Sequence, residues 1–429
     1  MEKQIDSELE SNSDDNSENK LKTFTLIGLI VANMIGAGVY TTSGFSLASL
    51  GSPNLVMLAW LIGGIIAFCG ALSYGALARY ISESGGEYIF LSRLLHPVAG
   101  TIAGWISLLA GFTGAIAFAA LAFESYTKPL LGFQMPSGIL AILLVILGGL
   151  FHGIRLNVGV KVQNFVVSLK LLLLLIFIGI AAVSAKSFNF VTDTPPPPDF
   201  SIFTFAVSLV WISLSYSGFN AAVYVAGEVY QKQKTVFQAT WIGTLAVTFI
   251  YLLLNGVFMY LVPYHLTVGK EDVAAVAATY VGGEALGILI RLIISISLFT
   301  SVLAMIMIGP RVYARMAEDK IFPQIFRFQG EIPQAAIAFQ AGASILLISF
   351  STLKDLLSYL GFTLSLSAAL TVSCLFLIKN EPHNKSLKIP GYPIIPGFFV
   401  VATVILAILS IWHDLTRFFG TLFISFSIY

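Results

Sequence analysis

Apolar runs long enough to cross a bilayer recur along the chain between short polar breaks, and they leave few folds open. A hydrocarbon core of about 30 Å takes roughly 20 apolar residues of helix. Runs of that order cover residues 23–47, 54–79, 98–126, 136–154, 163–185, 201–226, 236–262, 284–314, 334–351, 355–378 and 394–412, which predicts eleven transmembrane spans. The stretch 415–429 is apolar but short for a full crossing, and is read as a twelfth. These runs are continuous and lack the alternation of barrel strands, so the chain is expected to be an all-α polytopic membrane protein embedded in a lipid bilayer. Beyond the first twenty residues, the other 409 carry only 36 charged side chains, too few to solvate a soluble domain of that size. Nucleic-acid recognition is excluded as well, because nothing supplies a basic face.

The first twenty residues hold seven acids and two lysines among Ser and Asn, and read as a disordered acidic tail, 1–20. They lack the basic and short apolar segments of a cleaved signal. Lys and Arg collect in cytoplasmic loops. With the N-terminus inside, sixteen of them fall on that side against six on the other, so a cytoplasmic N-terminus in the plasma membrane is expected. Cys69 and Cys374 lie inside apolar runs, which leaves neither a disulfide framework nor a CxxC metal site. No metal and no cofactor is called for.

Two spans are interrupted by small residues at mid-depth. Span 1 reads Asn33-Met34-Ile35-Gly36-Ala37-Gly38-Val39-Tyr40, and span 6 reads Ser215-Tyr216-Ser217-Gly218-Phe219-Asn220. If five spans form one repeat and the next five its inverted copy, these are corresponding helices. Matched discontinuous helices point to a transporter site near the midplane. Unwinding frees backbone N–H groups that face an anion at a half-helix N-terminus, and carbonyls that face a cation. An α-amino acid carries both charges one carbon apart, so the paired breaks can hold its zwitterion without a charged side chain. Glycines packing helices closely is the plainer alternative.

With these strings in view, the chain resembles the amino acid, polyamine and organocation (APC) transporter superfamily. The resemblance rests on IGAGVY in span 1, SYGALARYISESGGEYIFL after span 2, SYSGFNAAVYVAGEV in span 6 and GPRVYARMAEDKIFP closing span 8, spread over residues 27–323. It implies five plus five inverted-repeat helices with helices 1 and 6 discontinuous, one or two peripheral helices, and alternating access. The core would be 21–380, with repeats at about 21–185 and 200–380, and 381–429 would be peripheral. Carried over, the substrate carboxylate falls on Ile35, Gly36, Ala37 and Gly38, and the ammonium on Leu214, Tyr216, Ser217 and Gly218 with the backbone between them. Two positions depart from the pattern. Ala37 stands where many relatives have Ser, so backbone donors must suffice for the carboxylate. Leu214 stands where several exchangers place an aromatic gate, which passes that role to Tyr216, Phe219 or Trp211.

An ionisable side chain inside a span is costly and marks function by default. Lys170 stands alone in VVSLKLLLLLIF of span 5, where a desolvated amine can load and release a proton. The resemblance matches it to the lysine that takes the place of a sodium ion in proton-coupled relatives. Thr300 and Ser301 of span 8, with Ser295 and Ser297 nearby, are the hydroxyls expected to accept from Lys170 or, in the rival reading, to ligate sodium. Glu124 and Glu228 read as interfacial or helix-capping acids. Arg79, Glu83, Glu87, Arg311, Arg315, Glu318 and Asp319 are candidates for cytoplasmic gate pairs.

A secondary transporter of amino acids coupled to protons is the reading these features favour. Exchange, sodium coupling and a membrane nutrient sensor are the alternatives. No span holds the paired groups of an intramembrane enzyme, and no GxxxxGK[ST] loop exists to energise a pump. The walls around the breaks offer no acid to a basic side chain, which points to neutral amino acids.

Overall fold

In the computed structural model the described residues run from 23 to 413, apart from 82, 84–85, 133–134, 154–159, 185–198, 225, 227–228, 230–231, 319, 328–332 and 380–388. The acidic tail at 1–20, the twelfth span at 415–429, Glu228 and Asp319 therefore lie outside them, as do the side chains of Arg311 and Arg315.

Spans 1 to 11 follow in the expected order. Span 1 is α1 (Thr23–Met34) and α2 (Ala37–Leu50), span 2 is α3 (Pro53–Tyr80), and a loop helix α4 (Gly86–Leu94) comes next. Span 3 joins α5 (Pro97–Ile106) to α6 (Ala115–Thr127) through a π-helical stretch, Ser107–Gly114. Spans 4 and 5 are α7 (Ile139–Gly153) and α8 (Val160–Ser184), and span 6 is α9 (Ile202–Tyr216) with the four-residue α10 (Ala221–Tyr224). Span 7 is α11 (Lys232–Tyr260), followed by the short α12 (Tyr264–Thr267), and span 8 is the long α13 (Val273–Glu318), kinked at Gly283. Spans 9, 10 and 11 are α14 (Gln334–Phe350), α15 (Leu353–Lys379) and α16 (Ile394–His413). Six helices are long and apolar enough to cross a membrane unbroken, and the two halves of span 1, bent by 41°, make a seventh together. The other four spans contain shorter apolar helices, Ile139–Leu150, Ser168–Ser184, Ile202–Tyr216 and Gln334–Phe350. Span 6 is short because its inner part breaks away at 217–220.

Helix faces sort by side-chain size as they must in lipid. Along span 2, Leu58, Leu61 and Ile65 are exposed at helical spacing, whereas Gly63, Gly64, Ala67 and Gly70 turn inward. These small residues let span 7 and span 6 approach closely, since van der Waals packing, not water exclusion, joins helices in a bilayer. Span 5 divides the same way. Leu169, Leu172, Ile176, Ile180 and Val183 face outward, and Lys170, Leu174, Phe177 and Ala181 form the buried stripe opposite.

Glu124 has the capping role that its position foretells. Its carboxylate accepts from the Gly138 N–H at 2.7 Å and the Ala141 N–H at 3.2 Å, serving orphan donors at the start of span 4. Glu124→Ala should cost about 1–3 kcal/mol by leaving buried N–H groups unpaired. A lower melting temperature of the purified protein in detergent, with unchanged substrate affinity, is the expected outcome.

Candidate functional site

The breaks lie where the sequence places them. Gly36 precedes α2 in an extended conformation (φ −123°, ψ −155°), so the first N–H groups of α2, from Ala37 onward, have no helical partner. The Gly36 N–H donates to the Met34 carbonyl at 2.9 Å, closing a tight turn. In span 6 the Ser217 N–H donates to Leu214 O and the Ala221 N–H to Gly218 O, both at 3.0 Å, with four turn residues between α9 and α10.

The glycines differ in what they permit. A Cβ on Gly36 would meet nothing within 4 Å, so the chain is open there. On Gly38 it would lie 2.6 Å from Ser215 Oγ and 2.7 Å from Ser215 Cα, so this glycine is what lets α2 touch span 6. Gly218 has φ +105°, which side chains other than hydrogen rarely allow, and its Cβ would come 3.0 Å from the Asn33 backbone. The packing role of small residues thus holds for Gly38 and Gly218, and open space for Gly36.

Lys170 is 2% exposed and donates from Nζ to the Ile35 carbonyl at 2.5 Å. Span 5 is thereby tied to the unwound part of span 1. The expected bonds to span 8 are not made. Thr300 donates to Ser297 O and Ser301 to Ser297 O, both at 2.9 Å, because a hydroxyl in a helix reaches a carbonyl one turn back within its own span.

Of the three aromatic gate candidates, two are embedded elsewhere. Tyr216 donates to Trp60 O at 3.0 Å and packs against Trp60 and Tyr251, between spans 2 and 7. Phe219 packs edge-on to Tyr74 and Phe399. Trp211, one turn before the break, donates from Nε1 to Ser358 Oγ of span 10 at 2.7 Å and so links the two helices on the outer side.

The loop charges pair differently from the expectation. Glu83 meets Arg93 at 2.9 Å on the surface, and Arg79 lies 3.8 Å from the Phe237 ring centroid. Glu87 is buried and accepts from Tyr74 Oη at 2.9 Å, Asn220 Nδ2 at 2.6 Å and Tyr224 Oη. An acid therefore does reach the span 6 break, contrary to the reading of the walls, but three donors already occupy it.

Tyr251 and Asn255 of span 7 escaped the sequence reading. Tyr251 Oη stands 2.5 Å from Met34 O and 2.9 Å from Ser215 O, at the ends of both broken helices. Asn255 accepts from Ser43 in α2 and donates to Tyr251 O at 2.9 Å. Their signal is a polar stripe at helical spacing, Thr240, Thr244, Thr248, Tyr251 and Asn255, on one face of an otherwise apolar span.

A polytopic bundle whose two half-broken helices present unpaired backbone groups at mid-depth has the architecture of a solute carrier with a midplane site. A model described as amino acid permease matches residues 21–425, and the chain belongs to that family, within the APC superfamily. It is similar to the serine/threonine exchanger SteT of Bacillus subtilis (strain 168), 24% identical over 394 residues that cover 88% of this chain and 89% of that one. The large neutral amino acids transporter small subunit 2 of Mus musculus is 26% identical over 406 residues, covering 90% and 75%. The human cystine/glutamate transporter is 25% identical over 407 residues, covering 90% and 79%.

Proposed function

We infer that the chain is a secondary active transporter that moves neutral amino acids across the plasma membrane by alternating access, driven by protons, with its N-terminus in the cytoplasm. The paired breaks carry this reading. Freed N–H groups of α2 from Ala37 onward, beside the open space at Gly36, suit the substrate carboxylate. Among the described residues, the carbonyl of Leu214 is engaged by Ser217 and that of Ser215 by Tyr251, so Tyr216 and Ser217 are the ones assigned to the ammonium. Trp211 closes the outer side. Residues 21–380 are assigned to the transport core and 381–429 to its periphery.

The Lys170 ammonium beside the Ile35 carbonyl would repel a metal cation at that place, which favours protons over sodium. Exchange is the second reading, because a similar protein is named an exchanger. Proteoliposomes distinguish the two: coupled uptake follows an imposed pH gradient into empty vesicles, and exchange requires amino acid inside. For substrate class, leucine or alanine should compete about tenfold or more better than arginine, lysine, glutamate or a polyamine, since an unpaired ionic side chain beside the breaks is penalised. Stronger competition by arginine would overturn the neutral assignment.

A further inference from the structure

The SGGEY segment places one buried carboxyl where three helices meet. Glu87 stands at the second position of α4, directly after Gly86, whose φ is +59°. A Cβ on Gly86 would lie 2.4 Å from the Tyr224 ring, so only glycine lets that ring lie on the loop. Glu87 Oε1 receives Tyr74 of span 2 and Asn220 of the break, and Oε2 receives Tyr224 of α10. Beside it the Tyr74 ring meets Phe219 edge-on, with centroids 5.5 Å apart.

The arrangement matters because α10 cannot hold its own position. A helix of four residues is far below the length that sustains itself, so its placement is set by side-chain contacts. Asn220 and Tyr224 supply the polar ones, and both end on Glu87. A buried carboxyl that loses such donors is left costly until water replaces them. The cluster therefore has two satisfied states, one bonded to span 6 and one hydrated. Asn220 is two residues beyond Gly218, so a change in the break moves a Glu87 donor.

We propose that Glu87 is a positioning residue that latches the inner part of span 6, and that its exchange of Asn220 and Tyr224 for water opens the site to the side carrying the N-terminus. This rests on the alternating-access reading above, though its test needs no substrate. Cysteine reporters would be placed at Asn33, beside Gly218 on the inner side, and at Thr42, which bonds Ser215 on the outer side. Cys69 and Cys374 would be replaced by alanine in both. Membrane-impermeant maleimide is then applied from each face of oriented vesicles. Tyr224→Phe removes one hydroxyl and leaves the ring, so it should raise labelling at Asn33→Cys from the N-terminal side by about tenfold or more, the scale of a hydrogen bond to a charged group. Labelling at Thr42→Cys from the opposite face should fall. Glu87→Gln should act in the same direction, and Tyr224→Phe carries the test alone if the glutamine variant does not fold. Unchanged labelling at Asn33→Cys would overturn the latch. Faster labelling at both reporters would overturn it too, since that is general loosening. Failure of amino acid transport, with the labelling shift intact, would refute the substrate reading and leave the latch standing.

Discussion

Lys170→Ala is expected to abolish accumulation driven by a proton gradient while leaving a protein that folds and binds substrate. The side chain sits on the bundle-facing stripe of span 5, opposite the lipid-facing leucines, so it does not reach an interface. Its hydrogen bond ends on Ile35 O, within the unwound part of span 1. As an ammonium it makes a charge-assisted bond that fastens span 5 to the break; as a neutral amine it makes an ordinary one, weaker by roughly half. Protonation thus biases the packing of span 1, the coupling a carrier needs. Alanine removes both states. In proteoliposomes, the variant should equilibrate substrate and fail to concentrate it under an inward proton gradient, with binding less sensitive to pH. Accumulation that survives, or a wild type that needs sodium, would remove this role from Lys170.

The second large effect is expected at Gly36. Its Cβ direction is empty, so Gly36→Val should fold and fill the space assigned to substrate. Affinity should fall by about tenfold to a hundredfold, the scale of overpacking a fitted site. Gly218→Val acts by a different route, since the side chain would be strained at φ +105° and would press on the Asn33 backbone. It should lose binding together with thermal stability, whereas Gly36→Val should lose binding alone. Binding measured by ligand-induced stabilisation separates the two, and unchanged affinity in both would move the site away from these segments.

What the sequence made legible follows the strength of each physical signal. Apolar runs gave spans 1 to 11 because lipid allows no other arrangement for them. The breaks at Gly36 and Gly218 were visible because glycine and polar residues interrupt otherwise uniform helix. Thr300 and Ser301 were misassigned because a string of hydroxyls does not say whether each bonds a neighbouring helix or its own previous turn. Glu87 was read as a loop charge because its burial depends on the turn at Gly86 and on Tyr224, 137 positions away along the chain. Tyr251 was passed over since a single aromatic hydroxyl in an apolar run carries no mark of its partners.

The π-helical stretch in span 3 sets the bearing of everything beyond it. Each α-helical residue turns the chain by about 100°, and a π turn absorbs one residue more than an α turn does. On the near side of Ser107–Gly114, Trp105 meets Phe322 with ring centroids 4.7 Å apart, and on the far side Tyr126 donates to Tyr40 O at 2.8 Å while Glu124 reaches Gly138. Deleting one residue here would swing the far half of the helix like a compass needle by about a quarter turn. Tyr126 and Glu124 would then point away from their partners while the near half stayed in place. Among the spans whose length is conventional, this one is therefore indexed to the residue: its sequence can drift in composition more readily than in count.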